Sequence, residues 1–141
     1  MADTDVLASI PLFSKLSKKD LARLRKAAHE ITYDAGTVLA SEDEIGRFFF
    51  IILEGEAKVD VQGREIRRLG RGDYFGEMAL IDRSVRAATV TAESPLRCLT
   101  ITQIEFRPLA TEHPDVAWAL LEAMVERVRE SDRRNPAGPP D

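Results

Sequence analysis

Apolar residues repeat at helical intervals near the two ends of this chain and at strand intervals between them. Ser17-Lys18-Lys19-Asp20 has the form of a capping box, and Leu21, Leu24, Ala27 and Ala28 follow at helical spacing. A shorter helical piece is expected over Asp3 to Ser9, broken by Pro11. The middle is strand-rich. Ile31 to Tyr33 leads into a turn at Asp34-Ala35-Gly36, and Thr37 to Ala40 follows. Phe48 to Leu53 is an unbroken apolar and aromatic run, which suits a strand covered on both faces. Ala57, Val59 and Val61 alternate with polar residues, the mark of a half-buried strand. Gln62-Gly63 predicts a hairpin turn, with Ile66 and Leu69 on the return segment. Ala87 to Ala92 and Leu96 to Ile101 are two further strands, separated by Glu93-Ser94-Pro95. Many short strands punctuated by turns predict an antiparallel roll or sandwich.

The C-terminal part is helical again. Glu105 to Thr111 predicts one helix that Pro108 should irregularise, and His113-Pro114-Asp115 opens another. Ala117, Leu120, Leu121, Met124, Val125 and Val128 then form an amphipathic stripe. The segment Asp132 to Asp141 is rich in proline and has no apolar period, so it is expected to be a disordered tail. The expected organisation is one domain over 1–131 followed by that tail.

Composition and charge narrow the function. The 141 residues are 44% hydrophobic and 31% charged, which suits one globular domain. A net charge of −4 argues against a general nucleic-acid binder, which needs a basic surface. It leaves room for one local anion pocket. Cys98 is the single cysteine, so a reducing compartment is the default and a buried thiol the expectation. No apolar run nears the ~20 residues of a membrane span, and the N-terminus does not read as a signal peptide. These features predict a soluble cytoplasmic protein without a membrane partner.

The segment Gly70 to Val90, GRGDYFGEMALIDRSVRAATV, holds the chemistry. Glu77-Met78-Ala79-Leu80 favours helix but has room for little more than one turn. The start of such a turn presents unpaired N–H groups and a partial positive charge, which suits an anion. Gly76 removes a Cβ where a ligand would approach the backbone. Arg86 brings a planar fork of donors that matches phosphate oxygens, and Ala87 and Ala88 leave space beside it. One arginine and a helix end suit a singly charged phosphodiester better than a triphosphate. Glu77 can accept from a sugar hydroxyl; the alternative is that it pairs with Arg86 when no ligand is bound.

Phe75-Gly76-Glu77-Met78-Ala79-Leu80-Ile81, three variable residues, Val85-Arg86 and Ala87-Ala88-Thr89-Val90 together resemble the phosphate-binding cassette of cyclic nucleotide-binding domains. Val85 stands where the family commonly has proline, which predicts a less rigid loop before Arg86. Asp43 falls in a loop where a glycine is usual and can tolerate a left-handed backbone. Pro11-Leu12-Phe13, Asp34-Ala35-Gly36, Phe49 to Gly55 and Gly72-Asp73 fall at other family landmarks, so the resemblance covers about residues 6 to 130.

The resemblance implies an α+β fold. An antiparallel, jelly-roll-like β-roll of about eight strands would be flanked by N-terminal and C-terminal helices, with a short helical cassette. It implies that Arg86 pairs with a cyclic phosphate and Glu77 holds the ribose 2′-hydroxyl. Backbone N–H groups of Ala79, Leu80 and Ala88 would add phosphate contacts. Gly76 would lie against the ribose, and Phe75, Met78 and Ala87 are further candidate ligand-binding residues. Val59, Ile66 and Leu69 would form the base-side wall. Relatives that prefer cGMP often carry a hydroxyl just after the arginine. Ala87 has none, which tilts the reading toward cAMP, with cGMP the other candidate.

Other chemistries lack their residues. Gly70, Gly72 and Gly76 do not have dinucleotide-binding spacing, and there is no Walker A pattern. His29 and His113 do not have zinc spacing, and there is no GxSxG nucleophile. The expected function is a non-catalytic cyclic nucleotide receptor, without cofactor or metal. It would signal to an effector protein in trans through movement of its C-terminal helix. The chain stops near where a fused helix-turn-helix would begin, so a fragment of a longer protein is the other possibility. The stripe of the last helix is expected first of all to pack against the roll; Leu121, Met124, Val125 and Val128 are also candidates for capping the base or for a homodimer contact. Arg64, Arg67, Arg68 and Arg71 either steer an anion or form the wet face of a hairpin. The competing reading is a protein-interaction module that no longer binds nucleotide.

Overall fold

The computed structural model describes residues 3–82 and 85–134. Helix α1 (Asp3–Ser9), a 3-10 turn (Pro11–Phe13) and α2 (Lys18–Ala27) precede the strands. The strands are β1 (His29–Tyr33), β2 (Val38–Ala40), β3 (Phe48–Glu54), β4 (Ala57–Val61), β5 (Arg64–Leu69) and β6 (Tyr74–Phe75). After a 3-10 helix (Glu77–Leu80) come β7 (Thr89–Ala92) and β8 (Leu96–Thr102), then α3 (Gln103–Glu112) and α4 (Pro114–Arg134). The eight strands form two four-stranded sheets, ordered β1-β8-β3-β6 and β2-β7-β4-β5. Every strand pairing is antiparallel. This is the expected β-roll flanked by helices.

Strand β3 reads as a continuous apolar run because both its faces are covered. Phe49, Ile51 and Leu53 face a core shared with Leu7, Leu24, Phe106, Val116 and Leu120 of the helices. Phe50 and Ile52 face the second core, between the sheets, with Val59, Leu69, Phe75, Val90 and Cys98. β8 divides in the same way, sending Leu99 and Ile101 to the helices and Leu96 and Cys98 between the sheets. Cys98 is buried as expected, and burial pushes its thiol up to about 12.

Caps and turns follow local chemistry. Ser17 Oγ accepts from the Asp20 N–H at 3.1 Å, while the Asp20 carboxylate turns to Arg23 at 2.8 Å. The hairpin at Gln62-Gly63 takes positive φ at both residues, +52° and +80°, matching the twist of its strands. Helix α3 opens on a full capping box. Thr102 Oγ1 accepts from the Glu105 N–H, and Glu105 Oε1 accepts from the Thr102 N–H. It begins two residues before the expected span, ends one residue after it and continues through Pro108.

Two expectations about the last helix change. Its buried side is Val116 and Leu120, with Ala119, Ala123 and Met124 half-buried against the core. Leu121, Val125 and Val128, expected on the packing stripe, are exposed, as is Trp118. The apolar residues of α4 occupy two opposite faces, and a single period merges them into one wide stripe. The helix also extends to Arg134, three residues into the segment expected to be a tail. The rest of that segment lies outside the described residues.

Candidate functional site

Strand β6 ends at Phe75, whose ring stacks on Phe50 with centroids 4.6 Å apart. The backbone turns at Gly76, with φ +81°, into the 3-10 helix Glu77–Leu80. A side chain at Gly76 would be strained by that φ. Its Cβ would also run into the Arg86 guanidinium and lie 2.6 Å from the Phe48 carbonyl oxygen. Gly46 lies against the same side chain at its Nε, and a Cβ there would overlap Arg86 as well. Two glycines thus leave the space that Arg86 fills. Its Nη2 donates to the Phe48 carbonyl at 2.6 Å. Arg86 is half-buried; desolvation lowers its pKa, opposed by the nearby negative charge of Glu77.

The loop around Arg86 is held by its backbone. Arg86 N–H donates to the Glu44 carbonyl at 2.7 Å, and Arg86 C=O accepts from Asp43 N–H at 2.9 Å. Val85 forms an isolated antiparallel bridge with Ile45. These contacts tie the loop on both sides of Arg86 to the segment Asp43 to Ile45. Asp43 takes φ +70°, the left-handed backbone anticipated for it.

Glu77 is 2% exposed, unusual for a carboxylate. Its Oε1 is 2.6 Å from Nη1 of Arg127 on α4, so its partner is Arg127 rather than Arg86. Its Oε2 is buried and has no hydrogen-bond partner among the described residues. The Arg127 guanidinium carbon lies 5.3 Å from the centroid of the Tyr74 ring. The cassette turn is also tied to α3, because Gln103 Nε2 donates to the Ile81 carbonyl at 2.8 Å.

Arg86 and Glu77 face one cavity of about 350 Å³. Ala40, Val59, Ile66, Leu69, Val90 and Ala88 give it an apolar wall. Arg67, Asp82 and Arg127 add charge. A cationic fork, a buried acceptor and an apolar wall can hold a ligand with an anionic group, a hydroxyl and a flat apolar ring.

The structure brings most of the anticipated residues together. Phe75, Gly76, Glu77, Met78, Ala79, Arg86, Ala87, Ala88, Val59, Ile66 and Leu69 all line the cavity. Leu80 does not: its side chain belongs to the core shared with the helices. The Ala79 N–H, anticipated as a phosphate donor, already donates to the Gly76 carbonyl at 3.0 Å. A turn this short returns its early N–H groups to its own backbone.

Sequence reasoning missed Tyr74, Gly46, the Phe48 carbonyl and Arg127. Gly46 had a faint signal, since a glycine in a polar loop marks a place where other groups can approach the backbone. Arg127 had none, because it sits 50 residues from Glu77 on a helix whose docking angle no local pattern reveals. The basic cluster divides: Arg67 lines the cavity, whereas Arg68 pairs with Glu65 and Glu93 on the surface.

The model of the cyclic nucleotide-binding domain family matches residues 30–113. The chain is 33% identical to a cyclic nucleotide-gated potassium channel of Rhizobium etli over 86% of its length, spanning 34% of that protein. It is 41% identical to a cAMP-dependent protein kinase regulatory subunit of Eremothecium gossypii over 74% of its length, spanning 23% of that protein. Among solved structures, it aligns with the N-terminal domain of a transcriptional regulator from Streptomyces coelicolor at a TM-score of 0.79 and 32% identity. That alignment covers 92% of this chain and 94% of the other. The chain therefore spans about a third or less of the curated relatives it matches. With its antiparallel roll, its cassette turn and a match over more than half its length, the chain belongs to the cyclic nucleotide-binding domain family.

Proposed function

We propose that this domain is a non-catalytic receptor that binds cAMP in the cavity between the cassette turn and β4–β5. The observation that carries this reading is that Arg86 and the buried Glu77 line one cavity, with a Glu77 oxygen still lacking a donor. Arg86 would pair with the monoanionic cyclic phosphate, and the ribose 2′-hydroxyl would donate to Glu77. Val59, Ile66 and Leu69 would cover the base. Gln103 and Arg127 link the site to α3 and α4, so ligand occupancy would be passed to those helices and on to an effector protein.

Ala87 has no hydroxyl to offer a guanine, which favours cAMP. One observation favours cGMP instead. Arg67 lines the cavity on β5, and an arginine fork donates well to guanine O6 and N7. Titration calorimetry with both nucleotides decides between them. Heat with cAMP at lower concentration supports the first reading, and the reverse order supports the second. Silence with both at millimolar levels leaves the domain as a protein-interaction module. Sedimentation with and without nucleotide tests whether the exposed stripe of α4 forms a homodimer.

A further inference from the structure

The second half of α4 is held to the roll by few groups. Beyond Leu120 none of its described side chains is fully buried, although Ala123 and Met124 are half-buried against the core. Glu122 pairs with Lys15, but both are well exposed and such pairs contribute little. Arg127 is different. Its guanidinium meets both the Tyr74 ring and the buried Glu77 carboxylate. The Tyr74 ring is itself held from the core side by Phe49, edge-on at 5.7 Å and 78°. Phe49, Tyr74, Arg127 and Glu77 therefore form one chain of contacts from the core to the site.

We propose that Tyr74 is a positioning residue for ligand binding. Acting through Arg127, its ring holds the guanidinium on one oxygen of Glu77 and leaves the other for a ligand hydroxyl. This rests on the reading of the cavity as a nucleotide site. A carboxylate accepts several hydrogen bonds, so Arg127 and a hydroxyl can share Glu77 without competing. Together with the nearby Arg86, Arg127 also compensates the charge of a carboxylate held in a buried setting. The consequence has a sign: docking of α4 and binding of ligand reinforce each other, by the same factor in both directions.

The test is calorimetry with cAMP and cGMP on the wild type, Tyr74→Phe, Tyr74→Leu, Arg127→Met and the Tyr74→Leu/Arg127→Met pair. Hydrogen exchange across α4 is measured beside it. Tyr74→Phe keeps the ring face and should bind as the wild type does. Tyr74→Leu should bind on the order of tenfold more weakly, the scale of a partly desolvated cation–π contact. The double variant should be no weaker than Arg127→Met alone. Exchange in the second half of α4 should rise in Tyr74→Leu and in Arg127→Met, and fall when ligand binds the wild type. Arg127→Met leaves the Phe49–Tyr74 contact in place and reads the same coupling if the Leu variant fails to fold. Equal weakening by Tyr74→Leu with and without Arg127 would overturn the proposal, since the ring would then only pack. Tighter binding by either single variant would also overturn it, since Arg127 would then compete with ligand. A wild type that binds neither nucleotide removes the functional reading itself, a result distinct from these.

Discussion

Arg86 of the cassette loop donates to the backbone carbonyl of Phe48, the first residue of β3, at 2.6 Å. A charged fork lining the cavity is thereby anchored on the strand that both cores share. Anchoring of this kind fixes where the cation points before any ligand arrives, which lowers the ordering cost of binding.

Arg86→Lys keeps the charge and loses the fork. Cyclic nucleotide affinity should fall by about 2 kcal/mol, or roughly thirtyfold, as for a lost charge-assisted hydrogen bond. Calorimetry reads the affinity, and a thermal melt confirms that the fold persists. Affinity within twofold of wild type would remove Arg86 from the site.

Gly76→Ala should lower both stability and affinity. The left-handed φ alone costs about 1–2 kcal/mol, and the new Cβ must displace the guanidinium or the Phe48 carbonyl. Gly36→Ala is the control. Its φ is +90°, but nothing lies within 4 Å of a Cβ there, so it should lose stability without losing affinity. Denaturant melts and nucleotide titrations of the two variants separate strain from clash.

The two faces of α4 should respond differently. Leu120→Ala opens the core and should cost about 2–4 kcal/mol. Leu121→Ala, one residue on but exposed, should stay within about 0.5 kcal/mol. Urea unfolding of both variants checks the phase of the helix.

Glu105 should contribute to acid sensitivity. Burial works to raise its carboxyl, but hydrogen bonds from the Thr102 backbone and hydroxyl and from His29 outweigh it, and the pKa is lowered. A carboxyl lowered on folding adds stability above its unfolded pKa, about 4.3, and loses it as pH falls through the folded value. Glu105→Gln should therefore flatten part of the stability loss below about pH 4, seen in urea titrations across pH 3 to 7.

Cys98 should resist alkylation in the native protein at pH 8. Burial raises its thiol to about 12, leaving almost no thiolate. Modification should appear only in denaturant, and rapid labelling of native protein would contradict its burial.

Local chemistry made much of the fold legible. The apolar run of β3, the alternation of β4 and the Gln62-Gly63 turn each depend on residues close in the chain, so their patterns identify them. The cassette was legible for the same reason, since Phe75 to Val90 holds both Glu77 and Arg86. The phase of α4 was not, because Val116 and Leu120 on one face and Leu121 and Val125 on the other satisfy the same helical period. Nothing local says which face meets the roll.

The sequence by itself determined the order of helices and strands, the short turn after Gly76, and the arginine and glutamate available for an anion and a hydroxyl. Those depend on backbone preference and on side-chain chemistry, which act over a few residues. Only the tertiary structure decided that Gly46 and Gly76 flank Arg86, and that Arg127 and Tyr74 meet at Glu77. Such meetings depend on how elements far apart in the chain pack, and packing is set by the whole core rather than by any one segment.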